Sequence, residues 1–147
     1  MTPDFTQLSV PGPTRTALTA PFWEAAKEGR LIIQQCGTCE QAVFYPRAIC
    51  PHCWSDRLRW REATGRSRLK SFSIVHRPGH PAWAAVAPYA VGLVELAEGP
   101  TMLSHIMVPL DQLVVGMPLV VRMTQVGTET LPFFEGDRHN LQKETDE

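Results

Sequence analysis

The chain has 147 residues, 44% of them hydrophobic, 20% charged, with a formal net charge of -1. That is enough apolar material for one modest core. No run approaches the ~18 apolar residues that would span a bilayer, and no basic start followed by an apolar stretch marks a leader, so a soluble, cytoplasmic protein is expected.

The near-neutral total conceals an asymmetry. Between Arg47 and Arg77 lie eight basic side chains and two acidic ones, a segment of +6, which leaves -7 for the remainder, with Glu135, Asp137, Glu144, Asp146 and Glu147 gathered at the end. Residues 135–147 therefore read as a solvated, disordered acidic tail.

Residues 1–18 mix Thr, Pro and Gly without periodicity. They read as an extended arm, either disordered or laid along a partner. Thr19 then opens a short helix with Pro21 in its first turn, Phe22, Trp23 and Ala26 as its apolar stripe and Gly29 as its stop. Leu31 to Gln35 reads as a strand, and Val43-Phe44-Tyr45 as another.

Around that second strand stand the only four cysteines, Cys36-Gly-Thr-Cys39 and Cys50-Pro-His-Cys53, ten residues apart. A two-residue gap turns the backbone so that both sulfurs of a pair face one point. Two such pairs supply four thiolates to one tetrahedral zinc. Disulfides are the competing reading, and nothing in the chain directs it to an oxidising compartment. His52 lies inside the second knuckle but is not needed, because four sulfurs complete the tetrahedron. A closed site of this kind leaves no position for water or substrate, so the metal is structural. Iron on the same sulfurs would make an electron carrier, as in rubredoxins, although there the pairs are much farther apart in sequence.

After Cys53 the pattern becomes all-β. Arg57–Arg61, Arg66–His76, Tyr89–Leu96, Thr101–Val108 and Pro118–Val126 are strand-like, with Gly and Pro between them. Five short strands fit a small Greek-key barrel of the OB type or a small sandwich. The resulting division is arm 1–18, helix and ribbon 19–62, barrel 63–134 and tail 135–147.

Two stretches stand out as surfaces. In Arg57-Leu58-Arg59-Trp60-Arg61 and Arg66-Ser67-Arg68-Leu69-Lys70 the cations alternate with smaller or apolar residues, so each run has a cationic face. Were Thr64-Gly65 to pair the two runs as a hairpin, Arg59 would face Arg68 and Arg57 would face Lys70, an arrangement that calls for an anion between them. Arg57, Arg59, Arg61, Arg66, Arg68 and Lys70 are thus candidate phosphate contacts, unless the runs pair elsewhere as plain wet faces. The segment Pro78 to Pro88 carries Trp83 and Val86 and is long for a hairpin loop. It either folds back on its own barrel or docks on another protein.

His76, His80 and His105 have no acid partner or nucleophile at a recognisable spacing. There is no G-x-S-x-G, no Gly-rich phosphate loop and no spare cysteine. Catalytic residues cannot be named.

The order Phe22-Trp23, Cys36-x2-Cys39, Phe44-Tyr45-Pro46-Arg47, Cys50-Pro-x-Cys53, Trp60, Gly65 and Val115-Gly116-Met117-Pro118-Leu119-Val120-Val121 resembles the zinc-ribbon and OB-fold accessory family known as domain of unknown function 35, from about Pro21 to Phe134. The resemblance implies a mainly β protein in which a short helix and rubredoxin-like ribbon precede a five-stranded OB barrel. It implies zinc on Cys36, Cys39, Cys50 and Cys53. It further implies a non-catalytic subunit of a thiolase-like enzyme, an acyltransferase or aldolase, or sometimes a hydratase, acting on acyl-coenzyme A, with coenzyme A as a shared ligand. Phe44, Tyr45, Trp83 and Val86 are then the candidate partner contacts. The competing function is a single-stranded nucleic-acid-binding ribbon and barrel, which the slightly acidic chain and the placement of Trp60 opposite the arginines disfavour.

Overall fold

The computed structural model describes residues 4–138. Helix α1 spans Ala20–Lys27, with Pro21 where its missing N–H costs nothing and Phe22, Ala25 and Ala26 buried. The chain leaves it at Gly29, whose φ of 79° suits a residue without Cβ. Strands β1 (Ile32–Cys36), β2 (Ala42–Val43) and β3 (Leu58–Glu62) form a small sheet in the order β2-β1-β3.

The buried Gln34 on β1 ties the ribbon loop to this sheet. Its Nε2 donates to the Arg47 carbonyl at 2.9 Å, and its Oε1 accepts from the Arg47 N–H at 2.7 Å. A buried amide is stable because both of its ends are satisfied in this way.

Strands β4 (Arg66–Val75), β5 (Tyr89–Leu96), β6 (Thr101–Met107), β7 (Pro118–Val126) and β8 (Glu129–Gly136) close into a barrel ordered β4-β5-β6-β8-β7. That is the five-stranded OB arrangement. Along β4, Arg66, Arg68 and Lys70 are exposed while Ser67 and Leu69 are buried, as a period of two requires. At Gly92 on β5 a Cβ would stand 2.8 Å from the Ser71 carbonyl oxygen and 2.9 Å from Leu69 Cδ1, so only glycine lets β4 and β5 approach this closely.

One apolar core joins the two modules. Phe22, Leu31, Ile32 and Ile33 from the helix and ribbon pack in the same cluster as Leu69, Val94, Ile106, Leu119 and Phe134 from the barrel. The reason lies in the barrel's seam. Strands β6 and β8 are parallel neighbours paired only at Ile106–Phe134 and Met107–Glu135, which leaves their other halves to be covered by α1 and the Phe44–Pro46 segment.

Three expectations need correction. The run Arg57–Arg61, counted among the five strands offered for the barrel although it falls in the ribbon module 19–62, is not a barrel strand: as β3 it pairs with β1. The fifth barrel strand is β8, which extends through Gly136 and so overruns the expected tail boundary at residue 135. Pro132 hides it, because proline argues against a strand. The structure accommodates Pro132 in the half of β8 that lies outside the β6 ladder, where its carbonyl accepts from the Ser104 hydroxyl at 2.6 Å. The rest of the tail, 139–147, lies outside the described residues.

The arm is the third correction. Phe5 and Leu8 are buried with Val126 and Phe133 in a second cluster on the chain's own barrel. Arg15 reaches Glu24 of α1 at 3.4 Å and Glu129 of β8 at 3.0 Å. At Gly127 (φ 59°) a Cβ would meet the Leu8 carbonyl oxygen at 2.5 Å, so the turn after β7 is shaped to receive the arm.

Candidate metal centre and surrounding surfaces

The end of β1 delivers Cys36 and the tight turn after it delivers Cys39, while the loop before β3 carries Cys50 and Cys53. None is in a disulfide. All four Sγ atoms lie within 4.8 Å of one another, and the Cys36–Cys53 and Cys39–Cys50 sulfurs are 3.6 and 3.7 Å apart. Sulfurs at about 2.3 Å from a central zinc stand about 3.8 Å apart in a tetrahedron, so the donor set fits that ion.

Backbone N–H groups are aimed at two of the sulfurs. Thr38 and Cys39 N–H groups point at Cys36 Sγ at 3.3 and 3.5 Å, and the His52 N–H points at Cys50 Sγ at 3.4 Å. His52 thus serves through its backbone and leaves its ring outside. The Cys39 N–H, opposed by burial and aided by the Thr38 N–H, brings the Cys36 thiol from 9.0 down to about 6. With Val43, the sulfurs form a core separate from that of the barrel. The two-residue spacing already implies both the convergence of the sulfurs and the N–H groups donated towards them from within each knuckle; the structure adds which amides these are.

The six basic candidates are all exposed. They do not form the hairpin expected of them: Arg59 stands opposite Gln35 on β1, and Arg68 opposite Glu95 on β5 and Pro118 on β7. No like-charge ladder exists between the runs, so that particular argument for an anion falls away. Arg68 Nη1 donates to the Gly116 carbonyl at 2.9 Å, and none of the six makes an ion pair among the described residues.

The Pro78–Pro88 segment carries a 3₁₀ turn at Pro81–Val86. Trp83 and Val86 pack, half-buried, on the cluster that holds Phe5 and Phe133. The segment thus folds part of its apolar surface back onto the chain's own barrel. Phe44 is half-buried 5.7 Å from Phe22, whereas Tyr45 is 49% exposed, its hydroxyl accepting from the Leu103 N–H at 3.2 Å.

His105, on β6, reads from the sequence as a structural histidine with no catalytic partner. It is stacked between Phe133 at 4.6 Å and Tyr89 at 5.0 Å, with Phe5 edge-on at 5.1 Å. Burial drives its pKa from 6.5 down to about 4. The folded form therefore binds the proton more weakly than the unfolded chain, and folding stability falls as pH drops from 6.5 towards 4, by up to about 3 kcal/mol. We expect His105→Phe to remove that part of the acid sensitivity. Denaturation midpoints at pH 7 and pH 4.5 for both proteins check it, since zinc loss affects each equally.

A tetrathiolate ribbon sharing a core with a five-stranded barrel defines a class of zinc-ribbon/OB-fold proteins. Family models agree: residues 23–59 match "ChsH2, rubredoxin-like zinc ribbon domain" and residues 60–124 match "ChsH2, C-terminal OB-fold domain". The chain belongs to this ChsH2-type DUF35 family.

Among its relatives, a "Probable enoyl-CoA hydratase alpha subunit" of Thermomonospora curvata is 40% identical over 116 residues, covering 77% of this chain and 36% of that one. A "DUF35 domain-containing scaffold protein" of Methanothermobacter thermautotrophicus is 38% identical over 74 residues, covering 49% of this chain and 52% of that one. The chain thus spans about a third to a half of the length of these two relatives. A solved structure named "Ltp2-ChsH2(DUF35) aldolase" is similar over 85% of this chain and 98% of that one, with 35% identity and a TM-score of 0.76. Among the described residues no helix is long and apolar enough to cross a membrane.

Proposed function

We propose that this chain is a non-catalytic subunit that packs against a thiolase-superfamily enzyme acting on acyl-coenzyme A, holds that enzyme in its working form and helps bind the coenzyme A moiety. The observation that carries the reading is the likeness, over nearly the whole of its length, to a DUF35 chain whose solved structure is named with an aldolase. The relatives named as a hydratase alpha subunit and a scaffold protein point the same way. The metal centre fits this role, because four protein ligands would leave zinc no open position for substrate. Its part is to stiffen the ribbon so that the surface around Tyr45 keeps one shape.

The test is capture of the tagged, zinc-loaded chain from its native cells with identification of whatever accompanies it stoichiometrically. A thiolase-like or other acyl-coenzyme A enzyme is the expected companion; recovery with nucleic acid, or alone, would reject the reading.

The coenzyme A contribution is assigned to the cations of β3 and β4. Exposed arginines without ion-pair partners among the described residues are suited to phosphate groups, and Arg59 and Arg68 sit in the middle of their runs. We expect the Arg59→Glu, Arg68→Glu double variant to weaken coenzyme A binding by the assembled complex about tenfold or more, since each reversal replaces attraction by repulsion. Calorimetry on wild-type and variant complexes measures this, and equal affinities would dismiss the assignment.

A further inference from the structure

Trp23, Trp60 and Trp83 are half-buried and pack on the apolar clusters of the chain. Trp54 belongs to none of those clusters and is 83% exposed. It directly follows Cys53 with φ 66°, in the left-handed region that disfavours a bulky side chain and suits glycine or asparagine. The knuckle imposes this conformation: the Trp54 N–H donates to the Cys50 carbonyl at 2.9 Å, and the Cys50 N–H to the Ser55 carbonyl at 2.8 Å. Stability alone would place a small residue here. A large aromatic that strains its backbone and packs in no core points to a use outside the chain.

Its surroundings say what kind of use. Tyr45 and Ile49 are 49% and 44% exposed, so three of the eight large hydrophobic side chains exposed among the described residues fall within residues 45–54. The stretch is tied down. Gln34 clamps Arg47 through both ends of its amide, and Thr38 Oγ1 lies 2.8 Å from Ser55 Oγ, joining the two knuckles. A tryptophan held in place loses little freedom on docking, which is what makes such residues interface hot spots. Arg47 and Arg57 flank it in sequence, both exposed and in no ion pair among the described residues, against the single carboxylate of Asp56. An apolar projection edged by free guanidinium groups is complementary to an apolar recess edged by carboxylates. Single-stranded nucleic acid also takes tryptophan beside arginine, but stacking successive bases needs several exposed rings. Trp60 and Phe72, the other large aromatics of the basic segment, pack against the main core.

We propose that Trp54 is the anchor by which the ribbon docks on the acyl-coenzyme A enzyme, its indole seated in an apolar recess whose carboxylates meet Arg47 and Arg57. This deepens the accessory role and rests on it.

The test uses the zinc-loaded full chain and the purified enzyme that accompanies it from its native cells. Trp54→Asn suits the left-handed backbone and leaves no cavity, so the variant should hold zinc and melt no lower than the wild type. Its affinity for the enzyme should fall about thirtyfold or more, chiefly through faster dissociation. Glu40, with φ 63° after Cys39, is the control: Glu40→Asn relieves the other knuckle in the same way and should leave the affinity unchanged. The Arg47→Glu, Arg57→Glu double variant should associate more slowly at low salt than at high salt relative to the wild type. In a chain labelled with fluorotryptophan, the Trp54 fluorine resonance, identified by its absence from Trp54→Asn, should lose its solvent isotope shift in the complex.

Wild-type affinity in Trp54→Asn, a Trp54 resonance as accessible in the complex as in the free chain, or unchanged association in the double reversal would overturn the anchor and leave the accessory role standing. Absence of any acyl-coenzyme A enzyme partner would remove both. Should Trp54→Asn lose zinc, the fluorine measurement on the wild-type chain decides. Binding of oligothymidylate that Trp54→Asn abolishes would assign the ring to nucleic acid and reject the proposal.

Discussion

Cys36→Ser, or removal of zinc by a strong chelator, is expected to unfold residues 36–58 and leave the barrel standing. The ribbon tip has almost no apolar support of its own. Its buried cluster is Cys36, Val43 and Cys50, with Cys39, Cys53 and Leu58 at the edge. Metal binding in small structural zinc sites contributes about 10–16 kcal/mol of folding free energy, far more than such a cluster supplies. Strands β4, β5 and β6, in contrast, belong to the main core and touch none of the sulfurs. Amide exchange after chelation should therefore show loss of protection from Cys36 to Leu58 with retention from Leu69 to Ile106. Protection unchanged in the ribbon would mean that the metal is dispensable; loss throughout would mean that the two modules fold as one unit through Phe22 and Ile33.

Phe134→Ala should come close to unfolding the whole molecule. Phe134 is fully buried in the cluster shared by helix, ribbon and barrel, and it is one of two β8 residues in register with β6. Truncating a buried phenylalanine costs about 3–5 kcal/mol, from lost transfer energy and the cavity left behind. Domains of this size have only about 5–15 kcal/mol in total. Phe133 is the internal comparison: it lies in the smaller cluster under the arm, and its loss should loosen Phe5 and Leu8 before it affects the barrel. Urea denaturation of both variants checks the ranking. A change below about 1 kcal/mol for Phe134→Ala would show that the barrel seam is not where the core is anchored.

The metal site was legible because its chemistry is local. Cys-x2-Cys geometry is set by a four-residue turn, and four sulfurs without other cysteines leave one economical arrangement. Strands β4 to β7 were legible for the same kind of reason: alternation such as Arg66-Ser67-Arg68-Leu69-Lys70 states which face is buried wherever the strand goes.

Pairing is another matter, since a strand's period says nothing of its neighbour. The sequence alone left Arg57–Arg61 free to join either module, and only the register Gln35↔Arg59 settled it. β8 stayed hidden because Pro132 carries the signature of a break, and its tolerance comes from a distant fact, the absence of a β6 ladder at that level. The arm read as disordered or partner-bound because it has no periodicity, and the Trp83 segment as a possible docking surface because Trp83 and Val86 need cover; Phe5 of the arm, Trp83 and Val86 pack with Val126 and Phe133, far along the same chain.

By itself, then, the sequence determined the metal ligands, the kind of local structure in most segments and the family, each a matter of residues within a few positions of one another or of their order. The tertiary structure decided which apolar groups were left for others to meet. Burial depends on chain segments brought together across the whole fold: Tyr45 and Trp54 remained exposed, and Trp83 did not.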